Sequence, residues 1–125
     1  MAEVLIIKGG KKLRGAVDLV GAKNAVSKMM VASLLTDEEV VLENFPSIGE
    51  TEITSQLCGH IGCQIEGSPK AGLRRIRLRT PRIKQSRVLS LNRKNRIPIL
   101  TLGPLLARCG EAEVPIVGGD KIGPR

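Results

Sequence analysis

Apolar and polar residues are spaced along the chain in patterns that change from strand-like to helix-like and back. Val4 to Gly10 and Leu13 to Val20 predict two short strands around a glycine and lysine turn, and together they predict a hairpin. From residue 22 onward, apolar residues recur at steps of three and four, which is typical of a helix with one apolar face. The predicted face comprises Ala22, Ala25, Met29, Ala32 and Leu35, and Met29 and Met30 are expected to pack in the core.

The alternation of strand and helix continues beyond this helix. Val40 to Pro46 predicts a buried strand that ends at a proline, which cannot donate a ladder hydrogen bond. Residues 47–62 predict a second helix that stops at Gly62, and Cys63 to Ile65 predicts another strand. The apolar positions of the second helix lie four residues apart, at Ile53, Leu57 and Ile61.

The second half of the chain also predicts strands and a helix in alternation. Arg74 to Arg79 alternates, so Ile76 and Leu78 are predicted to face a core while arginines face solvent. Arg96 to Arg108 predicts a largely buried helix that tolerates a proline in its first turn and kinks at Pro104. Residues 110–119 predict a final strand. The predicted fold class is therefore α/β.

Length and composition predict one globular domain at most. The chain has 125 residues, of which 42% are hydrophobic, and it shows neither a leader nor an apolar run long enough to span a bilayer. We therefore expect a soluble, cytoplasmic protein with no membrane partner. Cys58, Cys63, Cys109 and the single His60 lack metal-ligand spacing, so we expect buried or inert thiols, a helix-surface or packed histidine and no metal site.

The positive charge is concentrated in one part of the chain. Between Glu66 and Glu111 there are twelve Lys or Arg residues and no acidic residue, and the net charge of the chain is +8. Such a segment attracts phosphate, either in a small substrate or in nucleic acid. Phe45 is the only aromatic residue, which disfavours single-stranded nucleic acid because base stacking needs aromatic platforms. A small basic phosphate- or RNA-binding module stays an alternative, and a solvated outer strand face also explains the arginine alternation.

The tetrapeptide GAKN, residues 21–24, is the first candidate for chemistry. Gly21 permits a tight turn into the helix, and Lys23 and Asn24 then lie in the first helical turn, whose amide groups favour anions. A lysine there opposes the helix dipole unless an anion offsets it. The alternative is that Asn24 only caps the helix and that Lys23 is solvated.

The C-terminal sequence VPIVGGDKIGPR, residues 114–125, is the second candidate. Gly118 and Gly119 precede Asp120, and the chain ends at Arg125. The aspartate is either a turn residue that hydrogen-bonds its own backbone or a reagent on a glycine-rich loop.

The motifs VGAKNA, RIPILTLGPLLARCG and VPIVGGDKIGPR occur in this order across nearly the whole chain. Together they resemble the UDP-N-acetylglucosamine transferases among the enolpyruvyl transferases. The sibling transferases that act on shikimate 3-phosphate typically have Gly-Ser-Lys-Ser where this chain has Gly-Ala-Lys-Asn. Asn24 therefore favours the sugar-nucleotide branch, while a sibling transferase with another acceptor stays an alternative.

The resemblance implies two similar domains, each an inside-out α/β barrel built from repeated helix–strand units. Residues 1–21 would be strands of the second, C-terminal domain, and residues 22–125 would form the first part of the other domain, roughly its first unit. The chain is thus expected to be an N-terminal fragment, inactive alone, whose partner is the remainder of the same polypeptide.

The resemblance also implies a reaction and its residues. Enolpyruvyl would pass from phosphoenolpyruvate to the 3-hydroxyl of UDP-N-acetylglucosamine, the first committed step of peptidoglycan synthesis, without metal or organic cofactor. Lys23 would contact phosphoenolpyruvate as a catalytic residue, and Asn24 would bind the sugar nucleotide. Arg96 and Arg125 would line the anion site. Asp120 would be the proton donor at the position where many relatives have the cysteine that fosfomycin alkylates.

Overall fold

The computed structural model describes residues 3–67, 74–89 and 96–116. Residues 22–116 within these ranges, here called the helix–sheet unit, place helices against one face of a three-stranded sheet. Residues 3–20, here called the N-terminal segment, contain no helix or strand and are exposed throughout. The core lies entirely in the helix–sheet unit, because every buried apolar side chain in the described ranges belongs to it.

Helix α1 spans Lys23–Ala32 and continues into a 3₁₀ turn at Ser33–Leu35. The predicted helix is confirmed, but its predicted buried face is wrong. Met29 and Leu35 are about half exposed, whereas Met30 and Leu34 are fully buried. Apolar residues occur all round this helix, so the periodicity alone did not select a face. Packing of α1 against α2 selected the side that carries Val26, Met30 and Leu34.

The sheet consists of β1 (Glu39–Glu43), β2 (Gln64–Glu66) and β3 (Arg75–Arg79) in the order β1-β3-β2. The central strand β3 is antiparallel to both neighbours, so β1 and β2 run in the same direction. Ile76 and Leu78 of β3 are buried while its arginines are exposed, as the alternation predicted. On the same buried side, Leu42 faces Ile76 and Val40 faces Leu78 across the ladder.

Helix α2 spans Gly49–Ile61 and connects β1 to β2. Gly62 ends it with φ of 123°, a conformation that favours glycine, so the predicted stop is confirmed. The amides of Gly62 and Cys63 both donate to the carbonyl of Cys58, which turns the chain directly into β2. Leu57, Cys58 and Ile61 are buried, whereas Ile53 is partly exposed.

The predicted proline-containing helix is divided into α3 (Ile97–Leu100) and α4 (Leu102–Cys109). Pro98 lies in the first turn of α3, where its missing amide hydrogen is tolerated. The interruption falls at Thr101, just before Pro104, because a proline in a helix removes a hydrogen bond and clashes with the preceding turn. The hydroxyl of Thr101 donates to the carbonyl of Pro98 at 2.7 Å and helps to close α3.

Two predicted strand regions differ from the structure. Of the strand predicted at residues 110–119, residues 111–116 form no strand and make one isolated parallel bridge, between Glu113 and Arg87, and residues 117–119 lie outside the described ranges. The predicted N-terminal hairpin is also wrong for this chain, because Val4 to Gly10 and Leu13 to Val20 form no strands. Alternation stabilises a strand only when its apolar face is covered, and seven large apolar side chains of the N-terminal segment are 77–91% exposed. They are Val4, Leu5, Ile6, Ile7, Leu13, Val17 and Leu19.

The chain is thus a mixed helix-and-strand protein, as predicted for the α/β class. Its described residues form one open sheet with helices on one side. A barrel built from repeated units stays a prediction, and so does the assignment of residues 1–21 to another domain.

Candidate functional site

Lys23 and Asn24 are the first two residues of α1, and both are exposed. The helix begins after Ala22, which has an extended backbone and provides no side-chain cap, and its first turn contains no acidic residue. The hypothesis that Asn24 caps the helix is therefore wrong. The first amides of a helix lack intrahelical acceptors, so this turn offers hydrogen-bond donors beside a lysine ammonium group. That arrangement suits an anionic ligand.

The start of α1 is fixed by contacts with the end of β1. The amide of Gly21 donates to the carbonyl of Asn44 at 2.9 Å, and the Asn44 side-chain amide donates to the carbonyl of Leu19 at 3.1 Å. A Cβ atom at Gly21 would lie 2.7 Å from the Asn44 carbonyl oxygen, so this close approach requires glycine. Sequence analysis identified Gly21 but missed Asn44. The available signal was the position of this asparagine between a strand and a proline, where turns are common.

An apolar depression lies beside the first turn of α1. Its walls include Ala25, Met29, Leu42, Phe45 and Pro46. These side chains cannot bind phosphate or carboxylate, so they provide an apolar wall beside the polar first turn. A complete anion site therefore needs further charged groups in addition to Lys23.

Arg96 immediately precedes α3, is exposed, and lies outside the helix itself. Helix α3 contacts α1, so Arg96 and Lys23 lie at the starts of two neighbouring helices. The other predicted site residues, Asp120 and Arg125, lie outside the described residues.

The arginines of β3 lie opposite acidic residues from β1. Arg75 pairs with Glu43 at 2.8 Å and Arg77 with Glu39 at 3.6 Å, and all four side chains are about half exposed or more. On the other side of β3, Glu66 is the ladder partner of Arg77. Two arginines of the basic segment thus pair with acids from outside it, and this part of the sheet face is a solvated ion-paired surface.

Arg108, on the last turn of α4, was missed by sequence analysis. Its guanidinium donates to the carbonyls of Leu34, Thr36, Thr80 and Pro81 at 2.8–3.3 Å. These contacts connect α4, the end of the 3₁₀ turn and the end of β3. A basic residue in the last turn of a helix is the available signal, although it does not identify the carbonyls. The Arg108 guanidinium therefore has a structural role, because it joins α4 to backbone carbonyls at the ends of the other two elements.

The thiols and the histidine form no metal centre. Cys58 and Cys63 are buried, Cys109 is exposed and His60 is exposed on α2, which matches the predicted surface position of the histidine. Burial, together with the neighbouring Cys63, raises the pKa of the Cys58 thiol from 9.0 to about 12, and burial also raises the pKa of Cys63. Both thiols are poor nucleophiles as a result. Within the described ranges, no group of three or more His, Cys, Asp or Glu residues is placed to hold a metal.

Comparison with protein families gives a match along nearly the whole chain. The EPSP synthase family (3-phosphoshikimate 1-carboxyvinyltransferase) matches residues 7–125. The chain belongs to the EPSP synthase family. This family match includes the exposed first turn of α1, Arg96 and the two predicted residues near the C-terminus.

Curated relatives of this EPSP synthase family chain carry the name UDP-N-acetylglucosamine 1-carboxyvinyltransferase. The one from Chlamydia abortus is 48% identical over 119 residues, which is 94% of this chain and 26% of the relative. The relative from Acidiphilium cryptum is 41% identical over 95% of this chain and 28% of its own length. The relative from an Anaeromyxobacter species is 38% identical over 97% of this chain and 29% of its own length. The chain thus spans between a quarter and a third of these relatives.

The described helices also bear on whether this family member could cross a membrane. In the described ranges, no helix is both long and apolar enough to cross a bilayer.

Proposed function

We propose that this chain is part of an enzyme that transfers enolpyruvyl from phosphoenolpyruvate to the 3-hydroxyl of UDP-N-acetylglucosamine. The observation that carries the proposal is the uncapped first turn of α1, which presents Lys23 and Asn24 to solvent in a chain of the EPSP synthase family. The names of the relatives support the sugar nucleotide as the acceptor. The proposal places the reaction in the cytoplasm, as the first committed step of peptidoglycan synthesis.

The chemistry needs an acid and a set of cations. The sugar hydroxyl releases its proton as its oxygen adds to C2 of phosphoenolpyruvate, and C3 gains a proton as the C2–C3 double bond becomes single. Phosphate then leaves C2 of the tetrahedral intermediate as C3 loses a proton, which restores the double bond. Asp120 supplies the first proton, and Lys23 holds the anionic phosphoenolpyruvate. Arg96 and Arg125 bind its oxygens, and Asn24 binds the sugar nucleotide.

The proposal also explains the exposed N-terminal segment. Seven of its large apolar side chains are at least 77% exposed, and the chain spans only a fraction of its relatives. We assign residues 1–21 to the domain formed mainly by the rest of the polypeptide, where those side chains are covered. Residues 22–125 form the first part of the other domain, roughly the first unit of its barrel. The 125-residue chain alone is then inactive because much of the cleft is missing.

The alternatives have less support. For a phosphate- or RNA-binding module, part of the basic segment is already engaged inside the chain, because two of the β3 arginines pair with glutamates and Arg108 binds backbone carbonyls. A sibling transferase that uses shikimate 3-phosphate shares the family but not the name of the relatives.

The deciding experiment measures phosphate release by a full-length protein that contains this chain. We expect release only when phosphoenolpyruvate and UDP-N-acetylglucosamine are both present, and none with shikimate 3-phosphate. Lys23→Ala should lower kcat/KM by tens-fold or more, on the order of 2 kcal/mol of transition-state stabilisation. Lys28→Ala, which removes an exposed lysine from the same helix, is the matched control. Normal turnover by Lys23→Ala would contradict the proposed role of Lys23.

The role of Asp120 has its own test in the full-length protein. Asp120→Asn keeps the size and most turn hydrogen bonds but cannot act as an acid, so turnover should be largely lost while sugar-nucleotide binding persists. Asp120→Cys should keep activity, change the pH profile and become sensitive to fosfomycin. Turnover by Asp120→Asn at the parent rate would show that the aspartate is only a turn residue.

A further inference from the structure

Asn44 makes two hydrogen bonds at the junction between the end of β1 and the start of α1. Asn44 follows the last residue of β1 and contacts the segment that enters α1 through two groups. Its carbonyl accepts from the amide of Gly21 at 2.9 Å, and its side-chain Nδ2 donates to the carbonyl of Leu19 at 3.1 Å. The two bonds flank Val20, so they fix the direction of the chain as well as its distance from β1.

The backbone at this junction is specialised for the contact. Asn44 has φ of 53°, the left-handed region that asparagine tolerates better than most residues. The next residue continues the anchoring, because the amide of Phe45 donates to the carbonyl of Arg74 at 2.8 Å and its side chain is buried. Asn44 is therefore held from the core side, while its carbonyl accepts from Gly21 and its side-chain amide donates to Leu19.

Only Ala22 separates this anchored glycine from the helix that carries Lys23 and Asn24. The carbonyl of Ala22 accepts from the amides of Ala25 and Val26 at 3.1 Å, so the helix begins one residue after the anchored Gly21. The first turn has no side-chain cap of its own. The Asn44 junction therefore holds the residues that precede the first turn, and the packing of α1 against α2 holds the helix that follows.

We infer that Asn44 is a positioning residue, which holds the first turn of α1 so that Lys23 and Asn24 are presented in one fixed orientation. This inference rests on the proposed function for the role of those two side chains. The inference adds a further residue to the proposed function. Asn44 need not touch either substrate, because its side-chain donor acts through Leu19. Misplacement of a binding group by about 1 Å can cost up to about a hundredfold in rate, so a short connection of this kind has catalytic consequences.

Two substitutions separate the side-chain bond from the backbone conformation. Asn44→Gly accepts the positive φ and keeps the carbonyl that binds Gly21, but it deletes the donor to Leu19. Asn44→Asp keeps the shape and places a carboxylate oxygen, which cannot donate, against the Leu19 carbonyl. Thr36→Ala is the matched control, because it deletes an exposed 3.1 Å side-chain–backbone bond, from the Glu38 amide to the Thr36 hydroxyl, beyond the other end of α1.

The first measurement is amide hydrogen exchange in this 125-residue chain, and it does not depend on enzyme activity. In Asn44→Gly and Asn44→Asp, the amides of Gly21, Ala25 and Val26 should exchange about tenfold faster or more, because the junction opens locally. Amides in α2 should keep their rates, and Thr36→Ala should change none of these. Unchanged exchange at Gly21 and in the first turn in both Asn44 variants would overturn the inference.

The second measurement is a double-mutant cycle on UDP-N-acetylglucosamine binding by the full-length protein. Asn44→Gly should weaken binding about tenfold in the parent and less than about twofold when Asn24→Ala is already present, because it acts through Asn24. Equal losses in both backgrounds would show a merely structural role and overturn the inference. If the parent protein does not bind the sugar nucleotide, the proposed function fails, and the exchange rates still decide whether Asn44 holds the first turn.

Discussion

The N-terminal segment and strand β3 have similar patterns but different structures. Both alternate apolar and polar residues, as Leu13 to Val20 and Arg75 to Arg79 show. Strand β3 lies between two neighbouring strands and buries Ile76 and Leu78, whereas the N-terminal segment forms no strand and leaves Leu13 almost fully exposed. An alternating sequence can therefore form a half-buried strand, but it does so only where neighbouring strands and a core cover its apolar face.

Truncation of one leucine in each region tests this comparison most directly. Leu78→Ala should lower the free energy of unfolding by about 2–5 kcal/mol, because it leaves a cavity in the core. Leu13→Ala should change it by less than about 0.5 kcal/mol, because that side chain is exposed in this chain. Urea denaturation of the 125-residue chain measures both. Similar losses from the two substitutions would show that the N-terminal segment is packed in solution.

Arg108 tests whether polar contacts also distinguish the helix–sheet unit from the N-terminal segment. Arg108→Met keeps much of the side-chain stem but removes the donor to four carbonyls, and we expect a loss of about 1–3 kcal/mol in the free energy of unfolding. Arg75→Met breaks the exposed pair with Glu43 and should cost less than about 1 kcal/mol. Equal effects in urea denaturation would contradict the structural role of Arg108.

The boundary between the two regions can be tested at Gly21. Gly21→Ala brings a methyl group against the Asn44 carbonyl oxygen and should destabilise the chain by about 1–2 kcal/mol. Gly59→Ala is the control, because this exposed position in α2 has no atom within 4 Å of the added methyl group. The control should stabilise the chain by up to about 1 kcal/mol through helix propensity. A neutral Gly21→Ala in thermal or urea unfolding would show that the junction is loose.

The buried thiols predict a dependence of stability on alkaline pH. The pKa of Cys58 is raised by burial from 9.0 to about 12, so the folded state keeps a proton that the unfolded chain releases. The free energy of unfolding should therefore fall as the pH rises from 9 towards 12, beyond the loss from other groups.

Matched cysteine variants isolate this contribution. Cys58→Ala should flatten the alkaline slope of the unfolding free energy, whereas alanine at the exposed Cys109 should leave it unchanged. Urea denaturation at several alkaline pH values measures the slopes. An unchanged slope in Cys58→Ala would show that Cys58 is accessible to solvent and titrates normally.

Local signals predicted much of the helix–sheet unit. The alternation of β3, the stop of α2 at Gly62 and the interruption near Pro104 are all confirmed, because each depends on short-range sterics or on a strict period. Lys23 and Asn24 were placed correctly in the first turn of α1. The motifs also predicted the family, which the match over residues 7–125 confirms.

The sequence by itself thus determined most element types of the helix–sheet unit, the family and the residues proposed for the site, but not the absence of a strand at residues 111–116. The tertiary structure decided which side of α1 is buried, because an all-round apolar helix is oriented only by its neighbours. It also decided that Arg108 binds carbonyls 27–74 residues away and that Asn44 contacts a segment 25 residues earlier. Such contacts join positions distant in the chain, and no local pattern of polarity specifies them.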